Sequence, residues 1–277
     1  MKISLIVATY NRTEAIKYLL ESLNYQTSRN FELIIVDQNK DDRIAKILYS
    51  FNNNFILKHF KLDEIGLSMA RNYGLGKASY EIIGFPDDDC SYENDLIEKL
   101  LVIFTNNNDI DCVLAKNIIK SDKINIDYFI QRKEIENFSI KFCSNQIFLK
   151  RYIFSEIGFF DEKLGLSNWF GCGEETDILI KLIRKGKVAF YSNQIKVFHP
   201  TIIKKSRYID IENIRSRSRG TGALWKKHNF KKIVIFRGLL SPVFKIILNF
   251  YSISKIRYFL NVMSGRIEGY RNWTYSN

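Results

Sequence analysis

The chain of 277 residues contains only three prolines, four cysteines and three histidines. Cys90, Cys112, Cys143 and Cys172 form no C-x-x-C pair and show no zinc-type spacing with the histidines, so free thiols in a reducing compartment are expected. No G-x-G-x-x-G follows the first apolar run, where the chain reads "YNRTEA". That argues against a dinucleotide-dependent oxidoreductase. The glycine-rich loop of a sugar nucleotidyltransferase is missing from the same place. The opening "MKISLIVATYNR" has neither the long apolar core nor the small-residue cleavage site of a signal peptide, and reads as a first strand. Internal repeats and low-complexity linkers are also absent.

Acidic residues are scarce at one end. Residues 200–277 hold 16 Lys and Arg against three Asp and Glu, a local charge of +13 that leaves residues 1–199 at −1. A basic tail on a neutral body points to a polyanionic surface, either anionic membrane or nucleic acid, or to a solvated helix face. Long uncharged runs are lacking too: around Arg237, Lys245, Lys255 and Arg257 none exceeds nine residues. A membrane-spanning helix needs ~20, so a segment lying on a membrane fits better than one crossing it. A nucleic-acid partner would leave the acidic residues described below unexplained, and none is expected.

What is present is an alternating pattern. Aliphatic runs at 2–9, 31–37, 54–60 and 80–85 are separated by helical periodicity, clearest in Ile16, Leu19, Leu20 and Leu23. Helices are expected over 41–51, 67–77, about 92–105 and 174–186, the last ended by Gly186. This predicts an α/β fold with a doubly wound, mainly parallel sheet covered by helices on both faces, followed by a helical basic extension in which Pro242 interrupts an apolar region.

In such sheets ligands bind beyond the carboxyl ends of the strands. Three strand ends there are polar: "ATYNR" with Thr9, Asn11 and Arg12, then Asp37, then "GFPDDDC" with Asp87, Asp88 and Asp89. In extended chain Asp87 and Asp89 project to one side and Asp88 to the other. Such a carboxylate pair suits Mg²⁺ or Mn²⁺, whose remaining positions go to water and phosphate oxygens. An acidic turn capping the next helix is the plain alternative. "GCGEETD" places Glu174 and Glu175 at a helix start, where a carboxylate can accept the proton of a hydroxyl nucleophile or merely complement the helix dipole.

"ATYNR", "IIVDQNKDD", "GLSMARNYGL", "FPDDDC" and "GCGEETD", in this order and spacing, resemble the family 2 glycosyltransferases of GT-A fold, of the bacterial surface-polysaccharide type. The likeness spans roughly residues 1–200. It implies transfer of a sugar from a nucleotide-diphosphate donor, a UDP-sugar being favoured, with inversion at the anomeric carbon. It makes Thr9, Asn11, Arg12, Asp37, Arg71, Asp87 and Asp88 candidate nucleotide contacts, with Asn72 close by. Asp89, Asp87 and His199 become candidate ligands of Mn²⁺ or Mg²⁺. The family usually has Glu-Asp where this chain has Glu174-Glu175, so Glu175 falls on the catalytic base position. Asn168 and Trp169 are candidate acceptor contacts, Trp169 through its ring face or else as core packing. The implied organisation is a nucleotide-sugar half (1–105), an acceptor half (106–207) and a basic helical extension (208–277). The acceptor is expected to be a glycan or a lipid-linked glycan, at the cytoplasmic face of the plasma membrane. The arginine run Arg215, Arg217 and Arg219 is read as a diphosphate partner, a lipid contact or a solvated helix face.

Overall fold

The computed structural model describes residues 1–118, 125–139, 142–199 and 210–274. β1 (Ile3–Thr9) and β2 (Phe31–Asp37) pair in parallel, with Ile3 opposite Phe31 and Thr9 opposite Asp37. Their side chains divide by the two-residue period of a strand. Ile3, Leu5, Val7, Leu33 and Ile35 enter one core, while Ile6, Ile34 and Val36 enter the other. The first core is closed by α1 (Ala15–Asn24), α2 (Arg43–Ser50) and α4 (Leu96–Asn106). The second is closed by α3 (Leu67–Lys77) and, later in the chain, by α6 (Ile153–Ile157) and α7 (Glu174–Arg184). Both faces are covered, which explains why the strands read as continuous apolar runs.

β3 (Ile56–Lys61) lies at the edge and β4 (Ile82–Gly84) on the far side of β1. After β5 (Ser91–Tyr92) come β6 (Cys112–Asn117), β7 (Tyr128–Phe129), α5 (Arg132–Glu136), β8 (Ile147–Lys150) and β9 (Ala189–Phe198). The sheet runs β3-β2-β1-β4-β8-β6-β9-β5, with β7 paired to β9. The first four strands and the β6–β9 pair are parallel. The antiparallel pairings each span only two or three residues. This is the expected mainly parallel α/β architecture. The helix bounds expected at 41–51 and 174–186 contract to Arg43–Ser50 and Glu174–Arg184, and the largest shift is in the helix after the aspartates, which begins at Leu96 rather than about residue 92 because Ser91 and Tyr92 pair with Phe198 and Val197.

The basic extension folds as α8 (Ile211–Lys227), α9 (Lys232–Leu248) and α10 (Ile253–Asn272). Lys204, Lys205 and Arg207 of its basic run lie outside the described residues. Pro242 does not break α9. A proline leaves the carbonyl four residues earlier without its helical donor, here that of Gly238. The guanidinium of Arg266 on α10 donates to that carbonyl instead. α8 and α10 approach backbone to backbone, since a Cβ at Gly222 or Gly269 would strike the main chain of Arg266 or Arg219.

α8 is fastened to the sheet domain through Asp177, which is fully buried and sits 2.7 Å from His228 Nε2, 2.8 Å from Lys227 Nζ and 3.2 Å from Lys181 Nζ. Burial opposes its ionisation, but the His228 hydrogen bond and the two lysines outweigh that and hold the carboxyl well below the usual carboxylate range. A depressed folded pKa adds stability that is present above the unfolded value of about 3.9 and is lost as pH falls below it. Asp177→Ala removes the carboxylate shared by Lys181, Lys227 and His228, although Lys227 keeps Asp161 and Lys181 keeps the Phe159 carbonyl, and is expected to cost roughly 1–3 kcal/mol. Urea titrations at neutral pH should record that loss, and the gap between wild type and variant should narrow below about pH 4.

Candidate active site

The carboxyl ends of β1, β2 and β4 meet at one edge. Thr9 Oγ1 donates to Asp88 Oδ2 at 2.9 Å, and the Arg12 guanidinium bridges Asp88 at 2.7 Å and Asp89 at 2.5 Å. Asn11, in the left-handed region at φ 55°, donates its backbone N–H to Asn39 Oδ1 at 2.7 Å. Asp37 is fully buried: Oδ1 accepts from the backbone and side chain of Asn39, while His59 and Lys61 both lie 3.1 Å from Oδ2. Both of its oxygens are therefore engaged by protein groups.

His199 reaches this edge through strand register. Ser91 pairs with Phe198, so the residue after β9 comes to lie beside the aspartates before β5. Its Nε2 is 3.1 Å from Asp89 Oδ1 and 3.6 Å from Asp87 Oδ2. One ligand-type atom from each of Asp87, Asp89 and His199 lies within 4.8 Å of the others. Asp88 is turned away towards Thr9 and Arg12; the segment is not extended here but a turn closed by the Cys90 N–H on the Asp87 carbonyl at 3.2 Å, and that turn, rather than strand alternation, separates Asp88 from the other two. Burial pushes Asp87 and Asp88 above the ordinary carboxylate range, against the pull of Arg71 and His199 on the first and Arg12 on the second. Asp89 is held lower, the His199 and Arg12 contacts outweighing its burial.

The donor set of two carboxylates and an imidazole fits a hard divalent cation. Asp89 Oδ1 is buried and makes no hydrogen bond of acceptable geometry, leaving a lone pair for such an ion. Zinc sites built on thiolates are a poorer match.

Arg71 connects this cluster to the second acidic group. Its side chain is 2% exposed and reaches Glu174 Oε1 at 3.0 Å, Ser144 Oγ at 2.6 Å and Asp87 Oδ1 at 3.5 Å. Its guanidinium also lies over Phe160, 5.6 Å from the ring centre. Asn72 does not turn towards the aspartates. It exchanges hydrogen bonds with the backbone of Phe160 at 3.0 Å and donates to Glu162 at 2.9 Å, pinning the following loop.

Gly173, at φ 107°, starts α7 in a conformation that disfavours any side chain. Glu174 and Glu175 follow in the first turn, each with Oε2 buried and without a hydrogen bond. Burial, and then the charge of Glu174, push the Glu175 carboxyl well above its ordinary value, with Arg71 opposing. A carboxyl tuned upward in this way suits proton transfer near neutral pH.

Trp169 is 45% exposed, with the Arg219 guanidinium 4.5 Å from its ring centre and Phe170 set edge-on. Asn168 donates to the Leu164 carbonyl at 3.2 Å. Their loop is held by α8, whose Ser216 carbonyl accepts from Gly171 N at 3.1 Å. The arginine run is mostly committed within the protein. Arg215 and Arg219 both pair with Glu268 on α10, Arg219 also with Glu212, and Arg217 donates to Asn213. Ser144, Asn39, His59 and Lys61 escaped the sequence reading. Lys61 is placed by strand register, opposite Asp37, which only the folded sheet reveals.

Residues 4–159 match the family described as Glycosyl transferase family 2, more than half of the chain. The chain belongs to that family. An uncharacterized glycosyltransferase of Haemophilus influenzae is 30% identical over 194 residues, covering 66% of this chain and 62% of the relative. Two Rickettsia relatives are spanned over only 18% of their length. The glucosyl-dolichyl phosphate glucuronosyltransferase of Haloferax volcanii is 25% identical, with 72% of this chain and 69% of that protein covered. In fold, the chain resembles mannosyltransferase PcManGT from Pyrobaculum calidifontis, solved with GDP-Man and Mn²⁺. The TM-score is 0.68 at 13% identity, over 97% of this chain and 86% of that one.

Removing Arg71 leaves the buried Glu174 carboxylate without its cation and takes one partner from Asp87, which keeps Ser144 and His199. Arg71→Ala is expected to lower the unfolding free energy by roughly 3–5 kcal/mol in denaturant titration. Arg71→Lys, a point charge without the planar fork, should recover less than half of that loss, because one ammonium cannot span Glu174, Asp87 and Ser144 together.

Proposed function

We propose that the protein transfers a sugar from a nucleotide-diphosphate donor to a hydroxyl of a glycan or lipid-linked acceptor, with inversion, during assembly of surface polysaccharide. The observation that carries this reading is the junction at Arg71, which ties the Asp87–Asp89–His199 donor set to the Glu174–Glu175 pair. Residues 1–105 supply the nucleotide-sugar side, 106–207 the acceptor side, and 208–277 the basic extension. A UDP-sugar is the favoured donor, and the inner face of the plasma membrane the favoured location.

Asp87, Asp89 and His199 would hold Mn²⁺ or Mg²⁺, which supplies Lewis-acid stabilisation of the diphosphate leaving group when bound. Thr9 and Arg12 fix Asp88 and Asp89 and line the donor side. Asp37, saturated by Asn39, His59 and Lys61, sets the shape of the nucleoside end. Glu175 accepts the proton of the acceptor hydroxyl while that hydroxyl's oxygen bonds to the anomeric carbon and the carbon–oxygen bond to the diphosphate breaks, the nucleoside diphosphate leaving. Arg71 orients Glu174 and Asp87 and keeps the two acidic groups at a set separation. The exposed Trp169 ring offers an apolar face to an acceptor sugar.

Incubation with a panel of nucleotide sugars plus Mn²⁺, with and without acceptors, should release nucleoside diphosphate from one donor. An absence of metal-dependent donor binding across the panel would falsify this reading. Asp89→Ala is expected to abolish metal-dependent donor binding measured calorimetrically. Glu175→Gln should bind donor normally yet lose at least ~10²-fold in transfer rate, the usual scale for a general base.

The raised Glu175 pKa fixes the direction of a pH profile. Its protonated form cannot accept a proton, so kcat/KM should rise with pH through a limb displaced above the usual carboxylate range. The limb should vanish from the residual activity of Glu175→Gln. Persistence there would assign it to another group.

A further inference from the structure

α9 and α10 form a hairpin that stands on α8, and the chemistry of its outer surface is one-sided. From residue 213 to 267 the sequence has no Asp or Glu. Lys232, Arg237, Lys245, Lys255 and Arg257 are exposed along the hairpin. Between these cations the tip presents large apolar side chains to solvent: Leu248 is 73% exposed, Phe250 77%, Tyr251 71% and Ile253 84%. Lys255 lies over the Tyr251 ring and Lys245 over Phe259, so long basic side chains run along aromatic surface with their charges at its margin. Among the described residues no helix is long and apolar enough to cross a membrane.

We propose that the α9–α10 hairpin docks the protein on an anionic lipid bilayer, its tip entering the headgroup and upper acyl region while the flanking cations meet headgroup phosphates. The charge pattern selects this occupant. Two copies meeting through this face would oppose cation to cation with no acid on either side, whereas an anionic surface satisfies every cation. The apolar tip adds burial that a soluble polyanion cannot supply. Beside the exposed Phe236, a cavity of about 490 Å³ lined by Trp225, Ile235, Leu239, Arg266 and Tyr270 continues the apolar surface down the hairpin. The Arg266 Nε at this cavity is buried and unpaired.

The docking geometry also bears on the site. α10 packs on α8, and α8 braces the loop carrying Asn168 and Trp169, so the docked hairpin and the acceptor side of the site belong to one packed unit. The inference rests on the membrane part of the proposed function and does not depend on the transfer chemistry.

Flotation of the full chain with phosphatidylcholine vesicles, alone or containing phosphatidylglycerol, tests the proposal. Binding is expected only to the anionic vesicles and should weaken with added salt. Phe250→Ser with Tyr251→Ser, and separately Lys245→Glu with Lys255→Glu and Arg257→Glu, should each reduce partitioning at least tenfold. Vesicle-free, donor-dependent nucleotide release should be unchanged in both. Tyr251→Trp keeps the tip aromatic and should show a blue-shifted emission with anionic vesicles, giving a readout that does not require a disruptive variant. Failure of the wild type to bind anionic vesicles overturns the membrane reading as a whole. Binding undiminished by the substitutions, or an emission spectrum of the Tyr251→Trp variant that vesicles leave unshifted, overturns the hairpin assignment alone. A wild-type dimer in sedimentation that the tip substitutions dissociate assigns the face to a second copy and overturns it too.

Discussion

One buried guanidinium organises the site. Arg71 leaves water almost completely, a large desolvation cost that only close anionic partners offset. Glu174, Asp87 and Ser144 converge on it from α7, from the segment after β4 and from the turn before β8. These elements come from distant parts of the chain, so the arginine fixes their separation as well as their charge. Its planar fork matters here: three partners in different directions need several donors on a rigid plane, and Phe160 covers one face.

Around that point the three consecutive aspartates stop being an electrostatic oddity. The three share a small set of neighbours: Arg71 and His199 beside Asp87, Arg12 on Asp88, and Arg12 with His199 on Asp89. Burial still leaves Asp87 and Asp88 reluctant to ionise, so a cation held at Asp87 would compete with a proton there. His199 owes its place to the two-residue pairing of β5 with β9, so a very short ladder decides which residue completes the cluster.

The C-terminal helices do more than carry charge. α8 closes over the loop carrying Asn168 and Trp169 and clamps α7 through Asp177, while α10 locks α8 by glycine-mediated contact and by Glu268. Arg215 and Arg219 therefore act mainly as internal ties, with Arg219 also stacked on Trp169. The exposed basic character instead resides on α9 and α10, where the apolar tip lies between the cations.

Sequence alone determined the strand–helix alternation, the extent of α3 and the start of α7, the two-faced burial of the sheet and the strand-end position of Asp37 and Asp87 to Asp89. These follow from local periodicity and from the rule that parallel sheets gather their polar strand ends on one edge. The resemblance carried by the ordered motifs named the family that the match over residues 4–159 shows. Tertiary structure alone decided that Arg71 faces inward to acids while Asn72 pins a loop, and that Ser144, Asn39 and His59 join the site. It also decided that the arginine run is largely spent on Glu268 and Glu212. Those outcomes depend on which residues from remote segments meet in a dry interior, where one unpaired charge outweighs many local preferences; periodicity along the chain carries no record of such meetings.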